Sequence, residues 1–321
     1  MKVVLFEDDA RGMSPLTDTT AAYELFFGDA RISDIWLSRF SGFEVQFAGR
    51  WAKPSFKDDS LLLVNSLALI KEDILEKAIN DFLRGAVPEG RGMVEGKRLV
   101  YAYVPREDAE AIMPFLGNLI DEQAVAAIGQ KVMPIITTHT IYDELLRRNQ
   151  PKVLIDTAWE FLARSLEALK AKTSSPDYLV SRSAAVSGSK IEGNAAVIGS
   201  VLVVNSAIRD SIIVGPAKIE NSIIENSYVG RYTVISNARV KGLIGDLCLI
   251  AADVLGAKVG SGSSVLRPLQ KDIRAGTRWG AEGESSDLVD PALKAAFKKE
   301  ELAPMLSRLQ WALSQQGGRP F

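Results

Sequence analysis

Three carboxylates stand in a row at Glu7-Asp8-Asp9, directly after the apolar run from Lys2 to Phe6. Oxygen ligands at the mouth of a strand suit a hard dication, with Asp8 and Asp9 as the candidates. The other reading of the same residues is a solvated loop in which Asp8 or Asp9 caps the next turn. Arg11 follows after Ala10, a guanidinium able to meet a phosphate or to close a surface salt bridge. Pro15-Leu16-Thr17 comes next, with Pro15 fixing a turn and Leu16 turned inward.

Two residues usually tied to catalysis are rare in this chain. The single histidine, His139, lies in Thr137-Thr138-His139-Thr140 and reads as a structural residue near a helix start. The single cysteine, Cys248, sits in an apolar stretch and reads as a small buried hydrophobe, so no disulfide forms within the chain and a reducing cytoplasmic setting is expected. The net charge of −2, with no Lys/Arg block, gives no footprint for nucleic acid. No apolar run is long enough for a membrane span, since the longest, near Leu61 to Ile70, is interrupted by Asn65 and Ser66.

The elements that must position these residues begin as alternating strands and helices. Lys2 to Phe6, Leu61 to Asn65 and Arg98 to Val104 read as strands. Helical spacing fits Ile70 to Leu83, Arg106 to Leu116 and Asp121 to Ile128, so residues 1–150 predict an α/β domain on a mostly parallel sheet. A connecting helix and hinge are expected over 151–177, opened by Asn149-Gln150-Pro151 and closed by Thr173-Ser174-Ser175-Pro176.

A repeat then takes over. Val203-Val204-Asn205-Ser206, Ile219-Glu220-Asn221-Ser222 and Ile235-Ser236-Asn237-Ala238 recur sixteen residues apart, with apolar residues returning every five or six positions from Ile208 through Val240. That spacing predicts three-sided coils over 178–270, a left-handed parallel β-helix of hexapeptide type. The Asn at the fixed turn position supplies left-handed backbone geometry. Lys218, Tyr228 and the Asn ladder are the polar candidates on this solenoid. Over 271–321, a linker leads to an amphipathic helix that starts at Asp290-Pro291 and is broken or kinked by Pro304, a cap for the β-helix or a subunit contact.

An α/β domain joined by a helix to a hexapeptide solenoid resembles the sugar-1-phosphate nucleotidyltransferases, above all the bifunctional N-acetylglucosamine-1-phosphate uridylyltransferase/acetyltransferase family. Their first strand runs into G-G-x-G-T-R-[LM]-x-P-L-T, against Glu7-Asp8-Asp9-Ala10-Arg11-Gly12-Met13-Ser14-Pro15-Leu16-Thr17 here. A variant branch opens with F-x-D-D and P-L-T-x-T-R-P, and Phe6 to Gly28 is closer to it; its W-D-L-x-x-x-N element looks like Tyr142 to Asn149. The resemblance implies a Rossmann-like nucleotidyltransferase domain that joins a sugar 1-phosphate to a nucleoside triphosphate with release of pyrophosphate. It implies Mg²⁺ on Asp8 or Asp9, Arg11 on phosphate, Gly12, Thr17 and Asn65 lining the nucleotide or sugar pocket, and a homo-oligomer, a trimer by preference. Departures are specific: Glu7, Asp8 and Ala10 replace glycines, Gly12 replaces the motif arginine, and Leu67 replaces the metal-binding aspartate of L-V-x-N-G-D. They keep open a second reading, a non-catalytic homologue that oligomerises through the solenoid and binds a sugar nucleotide or a partner enzyme. A third, acetyl transfer on the solenoid, lacks a histidine base within the repeat.

Overall fold

A computed structural model describes residues 2–9, 11–57, 59–68, 80, 84, 92–132, 153–172, 178–280 and 288–315. The helix expected over Ile70 to Leu83, His139, the Tyr142 to Asn149 element, Asn149-Gln150-Pro151 and the Thr173 to Pro176 hinge lie outside the described residues. The chain divides into two compact units, one of Met1–Ala10, Ala21–Glu24 and Arg31–Ile155, the other of Arg11–Thr20, Leu25–Ala30 and Asp156–Phe321.

In the first unit, β1 (Lys2–Phe6) is followed by α1 (Ile32–Arg39), β2 (Glu44–Ala48), β3 (Leu61–Asn65), β4 (Gly92–Glu95) and β5 (Arg98–Val104). These strands make one sheet in the order β2-β1-β3-β5-β4. β1 pairs in parallel with β2 and β3, while β5 runs antiparallel to both β3 and β4. The sheet is therefore mixed, and the expected mostly parallel arrangement is corrected. Gly96-Lys97 closes a tight hairpin that sets β4 antiparallel to β5, and β5 itself runs beside β3 in the opposite direction. Helices α2 (Arg106–Leu116) and α3 (Glu122–Val132) bury Ala109, Ile112, Leu116 and Ile128 in one core with Val4, Phe6, Leu61, Leu63, Leu99 and Ala102.

The second unit is built on a parallel β-solenoid of about six turns. Val203 pairs with Ile219 and Ile219 with Ile235, the sixteen-residue register of the sequence. The first coil is one residue longer, Tyr178 lying opposite Ala195, and the pairing continues past Leu269 to Arg278–Trp279. Val197, Val203, Ile208, Ile213, Ile219, Ile224, Val229, Ile235, Val240 and Ile250 fill one interior column. Asn205, Asn221 and Asn237 have φ of +48°, +48° and +53°, the left-handed turn geometry expected of them.

Helix α4 (Ala158–Lys172) also belongs to this unit, and Phe161 meets Tyr228 edge-on at 6.2 Å and Phe27 edge-on at 5.7 Å between ring centres. It starts at Ala158, after Thr157, whose Oγ1 accepts from Glu160 N. Residues 153–155 are not helical and belong to the first unit, the Val153 and Leu154 N–H groups donating to the Glu95 carboxylate. Near the C-terminus, α5 (Pro291–Ala296) has the expected Asp290 cap, and α6 (Lys299–Gln315) passes through Pro304 without a break. The interruption falls at Phe297, whose extended backbone sets its ring edge-on to Tyr232 at 5.5 Å. Leu309 and Leu313 of α6 lie against Gly262 and Gly276, turn residues of successive coils.

Candidate functional site

The carboxyl ends of β1, β2 and β3 are adjacent because the three strands pair in parallel, the position at which open α/β sheets present ligand-binding side chains. Glu7 and Asp8 leave β1, Arg50 follows β2, Asn65 ends β3, and Arg98 opens the antiparallel β5 at the same edge. Glu7 and Asp8 are 1% and 4% exposed, so the loop is not a solvated acidic run. Buried carboxylates require partners, and both have an arginine.

Asp8 receives the Arg98 fork, Nε donating to Oδ2 at 2.6 Å and Nη2 to Oδ1 at 3.2 Å. Asn65 Nδ2 donates to Asp8 Oδ2 at 2.8 Å and to the Leu99 carbonyl at 2.9 Å, while its Oδ1 accepts from Leu67 N. Arg98 also donates to the Ile155 carbonyl at 3.1 Å. Glu7 is held in the same way by Arg50 at 2.6 Å. The structure thus brings together Asp8 and Asn65, two of the residues expected at a site. Asp9 is half-buried beside them and its N–H donates to the Ile120 carbonyl.

Gly12 and Thr17 belong to the second unit. Gly12 is a point of backbone contact, since a Cβ there would collide with the Asp156 carbonyl. The residues after Thr17 are tied to the solenoid by a buried acid. Asp246 Oδ2 accepts from Thr19 Oγ1 at 2.9 Å and Thr20 Oγ1 at 2.5 Å, and its Oδ1 accepts from Arg231 N at 2.6 Å. Asp18 accepts from Ser261 N at 3.0 Å. The Arg11 side chain lies outside the described residues.

Magnesium seeks near-octahedral oxygen donors and retains several waters. The Asp8 donor set does not fit it as arranged, because both carboxylate oxygens already accept hydrogen bonds and a guanidinium stands 2.6 Å away. Glu7 and Asp8 against Arg50 and Arg98 sum to zero charge, which gives little electrostatic purchase on a triphosphate. On the solenoid, Tyr228 is packed under Phe161, and burial pushes its hydroxyl well above the ordinary phenol range. Lys218 Nζ lies 5.6 Å from the Phe297 ring centre. Burial pushes the Cys248 thiol up to about 12, as expected of a core residue.

Sequence reasoning missed Arg50 and Arg98. The available signal was an arginine at the first position of the otherwise apolar run Arg98 to Val104, where a charge is tolerated only if a partner waits at the strand end. It also missed the serine ladders, in which Ser222 N donates to Ser206 Oγ and Ala238 N to Ser222 Oγ, while Ser227 N donates to Ser211 Oγ. No helix among the described residues is long and apolar enough to cross a membrane. A scan against protein-family models gives no match, and a search of curated proteins gives none either.

Proposed function

We propose that the chain is a divergent relative of the sugar-1-phosphate nucleotidyltransferases, with an α/β domain of that kind and a left-handed β-helix, and that it works as a non-catalytic homologue. In this reading the solenoid assembles copies of the chain, with a trimer favoured, and the α/β unit binds a sugar nucleotide or a partner enzyme without turning it over. The observation that carries it is the pairing of Glu7 and Asp8 with Arg50 and Arg98, which spends the carboxylates and the guanidiniums on one another. Pyrophosphate release should be absent for any pairing of nucleoside triphosphate with sugar 1-phosphate in Mg²⁺. A light-scattering mass of three chains supports the assembly, and a monomeric mass contradicts it.

The second reading is the transfer reaction itself, joining a sugar 1-phosphate to a nucleoside triphosphate. It is favoured by the placement of Asp8, Asn65 and Arg98 together at the carboxyl ends of parallel strands. Under it, phosphate oxygens would draw Arg98 from Asp8, and Arg98→Gln would abolish turnover. Measured pyrophosphate release that survives purification and is lost in that variant replaces the first reading with this one.

A further inference from the structure

Glu7 occupies a set of donors that would recognise an oxyanion from solution. Its Oε1 accepts from Arg50 Nη2 at 2.6 Å and from Ala22 N at 3.2 Å, and its Oε2 accepts from Arg50 Nε and Arg50 N, both at 3.2 Å. A planar guanidinium fork with two backbone N–H groups converging on one carboxylate is the chemistry by which proteins hold carboxylate and phosphate groups. Gly49 admits the side chain, since a Cβ there would lie 2.7 Å from Glu7 Oε2 and 2.8 Å from Glu7 Cβ. The Arg50 and Glu7 side chains are 13% and 2% exposed, so the set is enclosed rather than a surface pair.

We infer that these residues form an anion-binding hole at the end of the sheet, filled by the chain's own Glu7 carboxylate and selective for small oxyanions, a carboxylate or a phosphate. All of its parts, Glu7, Ala22, Gly49 and Arg50, lie in the first unit. The hole therefore stands whether or not the chain turns over nucleotides. With Glu7 in place, external anions are kept out. Without it, Arg50 and two amides lose the Glu7 carboxylate, and an anion of matching size takes its place.

The test uses the full chain carrying Glu7→Ala. Its Tm should fall, and acetate or inorganic phosphate at tens of millimolar should raise it by roughly 3 °C or more beyond chloride at equal ionic strength. Wild type should show no such excess, and Glu7→Ala with Arg50→Gln should lose the response. The acetate and phosphate arms report whether the hole is carboxylate-sized or phosphate-sized. A folded Glu7→Ala protein with no anion response beyond that of wild type overturns the inference. If the variant is recovered only unfolded, refolding from urea replaces the melt. Native circular dichroism regained in acetate or phosphate but not in chloride supports the hole, and equal recovery or equal failure in all three overturns it.

Discussion

Along the solenoid, Ser206 and Ser222 return at one register, and each hydroxyl accepts the backbone N–H of the following coil. At the sheet end, the neighbours Glu7 and Asp8 each find partners from distant stretches, Arg50 for Glu7 and Asn65 and Arg98 for Asp8, with no period at all. Both regions satisfy buried polar groups internally, but they do so at different stakes. A lost serine in the ladder leaves one backbone donor short, whereas a lost arginine at the sheet end leaves a buried charge alone. The difference teaches that periodicity marks polar residues that repeat a structural task, while charge pairs assembled across the sequence concentrate stability in a few side chains.

The largest expected effect comes from breaking the aperiodic side of that comparison. Arg98→Ala should lower unfolding free energy by about 3 to 5 kcal/mol, because Asp8 would stay buried without its cation. Urea titration followed by circular dichroism measures it, and a loss within error of wild type would mean that the pair is ornamental. On the solenoid side, Ile219→Ala should cost about 2 to 5 kcal/mol by opening a cavity in the interior column. In contrast, Arg209→Ala, which removes an exposed partner of Glu192 on the same solenoid, should leave the urea midpoint unchanged.

Much of the architecture was legible because it rests on repetition and on runs. The register of Val203, Ile219 and Ile235 follows from identical spacing, and the strands at Lys2–Phe6, Leu61–Asn65 and Arg98–Val104 follow from unbroken apolar stretches. The antiparallel half of the sheet was not legible, since β5 pairs with β3 across a long connection and a short apolar run does not carry its own direction. At the site, Asp8, expected as a metal ligand, and Asn65, expected in the nucleotide or sugar pocket, touch one another. Their partner Arg98 was hidden because it is 90 residues from Asp8, and only the sheet order brings the two together. The start of α4 was displaced for a similar reason, the backbone N–H groups of residues 153 and 154 being taken by Glu95 across the fold.

Smaller effects sharpen the periodic side. Asn221→Ala should cost about 1 to 2 kcal/mol, because alanine pays for a φ of +48° that asparagine tolerates, and Asn221→Gly should recover most of it. An alanine variant as stable as wild type would remove the turn argument. The pH dependence of Cys248 is modest. Its thiol, 9.0 in the reference state, is pushed up to about 12 by burial, so the folded state keeps the proton that the unfolded chain releases. Stability from this group is therefore whole below pH 9 and declines as pH rises towards 12. Cys248→Ala should flatten that part of the wild-type slope in urea midpoints taken between pH 8 and pH 10, and an unchanged slope would show that the thiol ionises freely.

The central claim, that the strand-end acids serve arginines rather than a metal, is tested most directly by a double-mutant cycle on Asp8→Asn and Arg98→Gln, run by urea denaturation with and without millimolar Mg²⁺. The predicted result is a coupling energy of about 2 kcal/mol or more that is the same in both buffers. Coupling near zero, together with Mg²⁺ stabilising wild type but not Asp8→Asn, would contradict it and return Asp8 to the role of a metal ligand.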